Sequence, residues 1–218
     1  MKGTDLSHWN TVTDWKKIRE AGYEFCFIKA TQGTGYLDPT YKERKDKVRK
    51  AGMLLGAYHF ADATDPIKEA DWFLKNVGEL QEGEIVILDY ETYKLDNPAD
   101  WCLKWLSRVE QKLGFKPLLY TYHGLLVKYD WKPISGANYG LWGARYWVNN
   151  GSFWPLFPPS KASWPFVAIH QYTSRGKVPG IVGNVDLNNT SMDIKTLRKY
   201  GKQAPVETCT KCKIHCPQ

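Results

Sequence analysis

No stretch of this 218-residue chain is long and apolar enough to cross a bilayer. Its opening, Met1-Lys2-Gly3-Thr4-Asp5-Leu6, has no apolar stretch of the kind that drives export, so no leader is expected. Cysteine is scarce: five residues in all. Cys26 and Cys102 stand singly inside apolar patterns and are expected as buried thiols, while Cys209, Cys212 and Cys216 crowd the end. That distribution excludes a disulfide framework for the whole fold. No Gly-rich phosphate loop follows the first apolar run, which argues against a dinucleotide-binding open sheet. No Gly-X-Ser-X-Gly elbow exists, and no cysteine has an evident histidine partner motif, which argues against the usual nucleophilic hydrolases. His8, His59, His123, His170 and His215 lack zinc-protease spacing. Blocks of one charge are missing too. The densest basic run, Lys42 to Lys50, is interrupted by Glu43 and Asp46 and reads as the wet face of a helix.

What is present is a basic chain, formal charge +7, unusually rich in rings, with 10 Trp and 13 Tyr. A positive protein is drawn to polyanions. Without a nucleic-acid motif, an anionic cell wall is the expected partner, and neither nucleic acid nor membrane insertion is. Flat rings stack on the apolar faces of sugars, so the aromatics fit a sugar-binding cleft as well as a Trp-rich core. Hydrophobic residues at 43% suffice for that core.

Apolar runs recur along the chain: 22–28, 53–58, 84–88, 117–120, 139–142 and 165–169. Amphipathic stretches separate the early ones. Asp14 to Ala21 opens on an N-cap residue, Asp38 to Ala51 ends before Gly52, and Asp65-Pro66 begins a stretch to about Val77. From Pro98 to Leu113, Trp101, Trp105, Val109 and Leu113 recur every four residues, and Gly114 follows. Strand and helix signals alternate through about the first 125 residues, and Lys128 to Asn189 reads as strands and loops. The expected class is α/β, a modified TIM-like barrel of about five βα units followed by three strands with few helices. A doubly wound open sheet is the alternative. The barrel is expected over 1–202, with 203–218 as a short Cys-containing tail.

Polar or ionisable residues close nearly every run: Asp5, Lys29, His59, Asp89 with Glu91, Tyr120 with Tyr122, Arg145, Gln171 with Tyr172, and Asp186. Turns need polar residues, which explains one or two of these. A nearly complete ring fits better with the C-terminal end of a β/α barrel, where active sites lie. Asp89 and Glu91 are two apart, so on a strand they share a face. Two close carboxyls repel and one keeps its proton to higher pH, as a general acid must. A divalent metal on Asp5, Asp89, Glu91 and Asp186 is a lesser alternative. His59 and His170 are the histidines expected to line the cleft.

These residues are familiar in combination. Gly3-Thr-Asp-Leu-Ser-His-Trp9, Phe27-Ile-Lys-Ala-Thr-Gln-Gly33, Tyr36-Leu-Asp-Pro39, Ala51-Gly52, Gly56-Ala-Tyr-His-Phe60, Leu88-Asp-Tyr-Glu91, Gln171-Tyr172 and Pro179 to Asn188 together resemble glycoside hydrolase family 25. That family comprises muramidases common among phage endolysins and bacterial autolysins. The resemblance covers about residues 3–200. It implies a β/α barrel whose last strands lack full helices. It also implies hydrolysis of the β-1,4 bond between N-acetylmuramic acid and N-acetylglucosamine. On matching positions, Glu91 is the expected general acid, Asp89 the partner of the substrate N-acetyl group, and Asp5 and Asp186 the outer pair of the cleft floor. A substrate-assisted route is preferred over direct attack or inversion.

Tyr58, Tyr120, Trp142 and Gln171 are expected to line the sugar groove, although each suits core packing almost as well. Lys29 is expected to pair with the acidic floor or to cap its strand. Arg145 is a candidate for a lactyl or peptide carboxylate. A protein of this kind would act as a monomer without a cofactor, either made in a phage-infected cytoplasm or secreted in mature form. Two alternatives stay open: a non-catalytic wall-binding module, and a hydrolase of another amino-sugar polymer such as chitin. Two departures stand out. His170 occupies a place where many members carry Trp. The tail places Cys209, Cys212, His215 and Cys216 at zinc-knuckle-like spacing, which reads more simply as a tail than as a metal site.

Overall fold

The computed structural model describes residues 1–156 and 164–204. The six apolar runs, with one segment before them and one after, give the eight barrel strands: β1 Lys2–Leu6, β2 Tyr23–Gln32, β3 Leu54–Phe60, β4 Ile85–Asp89, β5 Leu118–Tyr122, β6 Leu141–Ala144, β7 Ile169–Gly176 and β8 Val185–Asn189. Neighbours from β1 to β7 run parallel. The strand β8 lies antiparallel to both β7 and β1, and its pairing with β1 closes the ring. Closure excludes the doubly wound open sheet.

Five helical connections follow the first five strands: α1 Trp15–Glu20, α2 Tyr41–Lys50, α3 Pro66–Val77, α4 Pro98–Leu113, and the short pair α5 His123–Lys128 and α6 Lys132–Gly136. After β6 and β7 the described residues contain no helix, and α7, Ile194–Arg198, follows β8. The count of βα units is as the sequence implied. The short α6 replaces part of what reads as loop, helped by Pro133 in its first turn.

Local signals set the helix ends. The Asp14 side chain accepts from Lys17 N, and the Asp65 side chain accepts from Ile67 N and Lys68 N. The helix α4 ends where Gly114 takes φ +78°, a left-handed cap that a side chain would strain. Its four-residue stripe buries Trp101, Trp105 and Val109 against the barrel wall, each stabilising by roughly 1.5–3 kcal/mol.

Strand alternation divides the core in two. Odd positions of β2, Phe25 and Phe27, face into the barrel with Leu54, Ile85, Ile87 and Leu118. Even positions, Cys26, Ile28 and Ala30, face the helices with Leu55, Val86 and Leu88. Gly56 leaves room for the ring of Phe27, because a Cβ there would stand 2.2 Å from that ring. Leu197 of α7, with Ile194 and Tyr200 packed beside it, completes the apolar interior cluster. The barrel interior is therefore apolar where the strands begin and polar toward the ends of β1–β5.

Two expectations need correction. The seventh strand begins at Ile169 rather than spanning 165–169. Pro165 has no N–H to give, and ladder bonding to β6 starts only with Ala168 N to Leu141 O at 2.9 Å. Gln171 and Tyr172 are thus inside the strand. Asp186 likewise does not close a strand but lies one residue into β8. Because β8 runs in reverse, that start reaches the same end of the barrel as the other strands' finishes.

No helix among the described residues is long and apolar enough to cross a membrane. The cysteine-containing tail lies outside the described residues.

Candidate active site

The register around the ring assembles the site. Asp5 on β1 sits directly across from Asp186 on β8. Phe60 pairs with Asp89, Asp89 with Tyr120, Tyr120 with Trp142, and Asn188 with Gln171. Glu91 follows two residues after the end of β4, while Tyr90 between them is buried on the helix side. The four acids Asp5, Asp89, Glu91 and Asp186 line one cleft of about 950 Å³ at this end of the barrel.

A hydrogen-bond network holds the floor. Asp5 Oδ2 accepts from Asn188 Nδ2 at 2.7 Å and from Gln171 Nε2 at 3.1 Å. Gln171 Oε1 in turn accepts from Tyr120 at 2.8 Å and from the Tyr146 hydroxyl. Asn188 Oδ1 accepts from the Trp142 indole at 2.8 Å. One amide flipped would break the chain, so each residue sets its neighbour's orientation.

Burial decides the electrostatics. It pushes the Asp5 carboxyl up to about 6, against the two amide donors that favour its charge. Asp186 rises to about 8, again by burial first and then by the charges of Asp5 and Glu91. Asp89 is raised well above the carboxylate range by burial and by the neighbouring Glu91, with Lys29 opposing. Glu91 is also raised by the protein around it, although it keeps contact with solvent in the cleft and is held partly down by Tyr120 and Asp89. Asp89 Oδ1 is buried with no hydrogen-bond partner among the described residues. Burial and the Glu91 charge favour the protonated form of Asp89, and its side-chain hydrogen bond with Glu91 gives a carboxyl pair that holds a proton between them.

Lys29 is buried on the inner face of β2. Its ammonium donates to Gln32 Oε1 at 2.6 Å and lies 4.6 Å from the centre of the Phe60 ring. It reaches the floor through its field rather than through a direct ion pair, and Asp89 is the acid that most favours its charge. Tyr58, Tyr120 and Trp142 line the cleft but are buried, with Trp142 wedged between Phe27 and Tyr120 at ring distances of 4.9 and 4.3 Å. Arg145 lines the bank just after β6.

His59 and His170 do not line the cleft. His59 alternates with Tyr58 and Phe60, so it points to the helix side, bridging Thr31 Oγ1 at 2.7 Å and Glu69 at 3.0 Å. His170 likewise alternates with Gln171 and meets the carbonyls of Pro155 and Arg145 at 3.0 and 2.9 Å. No group of three or more His, Cys, Asp or Glu among the described residues is placed to hold a metal ion. Cys209, Cys212, His215 and Cys216 lie outside the described residues.

Sequence reasoning missed several residues of the site, the buried Asn188 beneath the floor among them. Asn188 is two residues past Asp186, and the same alternation that paired Asp89 with Glu91 would have found it. The most exposed lining rings are Trp9 at 83% and Trp147 at 52%, both on loops where no periodicity operates. Tyr146 and His123 complete that bank of the cleft.

The family model described as glycosyl hydrolases family 25 matches residues 4–181. Lysozyme M1 of Streptomyces globisporus is 30% identical over 86% of this chain and 67% of its own length. The autolytic lysozyme of Clostridium acetobutylicum is 30% identical over 89% of this chain and 57% of its own. Among solved structures, the bacterial lysozyme from Streptomyces coelicolor superposes with a TM-score of 0.77 at 26% identity, covering 94% of this chain and 98% of that one.

Proposed function

The chain belongs to glycosyl hydrolase family 25, and from that membership we propose that it is an N-acetylmuramidase acting on bacterial peptidoglycan. The bond cut is the β-1,4 link between N-acetylmuramic acid and N-acetylglucosamine. The carrying observation is that Asp89 and Glu91 line one cleft with Asp5 and Asp186, at the end of the barrel where β/α enzymes place their chemistry.

Glu91 is the outer, cleft-facing member and is the general acid. It gives its proton to the glycosidic oxygen as the bond to the anomeric carbon breaks. Asp89 beneath it, once ionised, accepts the acetamido N–H of the muramic sugar and orients its carbonyl. That carbonyl oxygen attacks the anomeric carbon, so the nucleophile belongs to the substrate. Glu91, now a carboxylate, takes a proton from the water that opens the cyclic intermediate, and the acid is regenerated. Asp5, ionised above about pH 6, supplies the negative field that stabilises the positive charge developing on the sugar ring, and Asp186, which keeps its proton to about pH 8, stands across from it. Lys29 balances that field and keeps Asp89 ionisable. Gln171 and Tyr120 hold Asp5 and Glu91 in register, Tyr58 and Trp142 form the wall beneath the sugar, and Arg145 borders the groove. The unit responsible is the barrel of residues 1–202.

The test is turbidity loss of a Gram-positive wall suspension, with wild type beside Glu91→Gln and the released ends read by mass spectrometry. Clearing by wild type alone, with muramic acid at the new reducing ends, is expected. Wall binding without release of ends would make the chain a binding module. Release from chitin instead would change the substrate class, and residual clearing by Glu91→Gln would remove Glu91 from the acid role.

A further inference from the structure

Strand β2 breaks its own alternation where it enters the cleft. Its register against β3 shifts between Lys29 and Thr31, so Ala30 and Thr31 both fall between Lys29 and the next side chain on the inner face. Ala30 packs on the helix side, and Thr31 Oγ1 meets the His59 ring there at 2.7 Å. Strict alternation would point Gln32 away from Lys29, whereas the bulge lets both line the cleft. The amide of Gln32 has one orientation open to it, because Lys29 can only donate and the Asp62 carboxylate can only accept. Gln32 Oε1 therefore accepts from Lys29 Nζ at 2.6 Å, and Gln32 Nε2 donates to Asp62 Oδ1 at 2.9 Å. Asp62 is anchored in turn: its N–H donates to the buried Glu69 at 3.1 Å, and its carbonyl accepts from Lys94 at 3.1 Å. Gly33, at φ +52°, makes room for it, since a Cβ there would stand 2.2 Å from Asp62 Oδ2.

We propose that Gln32 and Asp62 are positioning residues, which hold the Lys29 ammonium back from Asp89 so that it acts on the acid pair by its field and leaves the Asp89 carboxyl open to the substrate. The inference rests on the muramidase reading and deepens it. Burial disfavours the charge on Lys29, and Asp89, Asp38, Asp62 and Glu91 all favour it. Of these, Asp62 is the one tied to the ammonium through a bridging amide. On the helix side, His59 is disfavoured as a cation by the same charge. Around Glu91, the groups that bear on its proton are Tyr120, Asp89 and Lys29, and its charge in turn raises Asp5 and Asp186. An ammonium released from Gln32 is drawn onto Asp89. A cation brought nearer the pair favours its charged form, so Glu91 gives up its proton at lower pH and the alkaline limb of kcat/KM falls.

The test measures kcat, KM and their pH profiles on purified glycan strands, after melting curves show which proteins fold. Wild type stands beside Gln32→Met, Asp62→Ala, Gln32→Glu and the double variant Gln32→Glu/Asp62→Asn. Gln32→Met removes the acceptor of the ammonium, and Asp62→Ala removes the group that holds the amide. Both are expected to lower kcat roughly 10-fold or more, to change KM less than about threefold, and to move the alkaline limb down by about half a pH unit or more. Gln32→Glu alone sets two carboxylates face to face and is expected to lose kcat as well. The double variant exchanges amide and carboxylate, keeping both hydrogen bonds and the net charge, and is expected to return kcat to within about threefold of wild type. A merely structural role would lower the active fraction alike at every pH and leave the limb in place. An unmoved limb in Gln32→Met and Asp62→Ala, or a double variant no better than Gln32→Glu, overturns the proposal. Where Gln32→Met or Asp62→Ala does not fold, the double variant beside Gln32→Glu decides. If wild type cuts none of the strands, the muramidase reading falls and this inference falls with it, an outcome the turbidity assay shows separately.

Discussion

Replacing Asp186 by Asn is expected to stabilise the fold at alkaline pH and to leave it nearly unchanged in acid. Asp186 is partly buried between Asp5 and the cleft and takes no side-chain hydrogen bond among the described residues, so the amide leaves no donor stranded. Its carboxyl titrates near 8 in the folded chain against 3.8 for the ordinary value. The folded value is the higher one, so the protonated form favours folding. Its contribution is whole below about pH 4 and is lost as pH climbs toward about 8. Four units at about 1.36 kcal/mol each would be about 5–6 kcal/mol as an upper bound. Solvent contact at the cleft screens the group, and about 2–3 kcal/mol is the reasonable share. For a chain of this size that is a rise of roughly 5–10 °C in Tm at pH 9. Thermal unfolding followed by circular dichroism at pH 3.5, 6 and 9 would measure it, wild type beside Asp186→Asn. An equal Tm difference at every pH, or a variant less stable at pH 9, refutes the reasoning. Asp5→Asn is a useful contrast: its carboxylate accepts from both Gln171 and Asn188, so an amide there loses an acceptor and gains far less.

Further outcomes follow from the same geometry. Because burial raises both Asp89 and Glu91, the acid limb should persist, and the alkaline limb of kcat/KM should lie above the ordinary glutamate range; a limb at or below pH 4.5 would contradict the shared proton. Asn188→Leu strands the Trp142 indole N–H and one donor bond to Asp5, and should cost about 1–3 kcal/mol in chemical denaturation, with unchanged stability counting against the network. Glu69 accepts from Thr64 N, Thr64 Oγ1, Asp62 N and His59 on the helix side, so Glu69→Ala should cost about 3–5 kcal/mol while kcat at a permissive temperature stays near wild type. A large kcat loss with an intact melting curve would tie that buried pair to the site instead.

Much of the architecture was legible because its signals are local. Asp14, Asp65-Pro66 and Gly114 state helix ends through hydrogen bonds that reach only a few residues. The Trp101, Trp105, Val109 stripe needs only a 3.6-residue period to be read. The start of β7 misled, since Val167 packs in the core without joining the ladder, which begins only at Ala168. The two histidines misled for a related reason: a position near a strand's end says nothing about which face it takes, and one residue of register reverses it.

By itself, the sequence determined the alternation of strands and helices, the spacing that sets Asp89 and Glu91 on one face, and the motifs that mark the family. Only the tertiary structure decided that β8 returns antiparallel and carries Asp186 across from Asp5. It alone joined Trp142, Asn188, Asp5, Gln171 and Tyr120 into one network from strands up to 183 residues apart. It alone decided which rings face the cleft, Trp9 and Trp147 from loops and not only Trp142 from a strand. The division has a physical cause. Helix caps and periodicities are encoded in contacts a few residues long. Burial, charge coupling and the raised carboxyls depend on how distant strands close into a ring, and no local pattern carries that information.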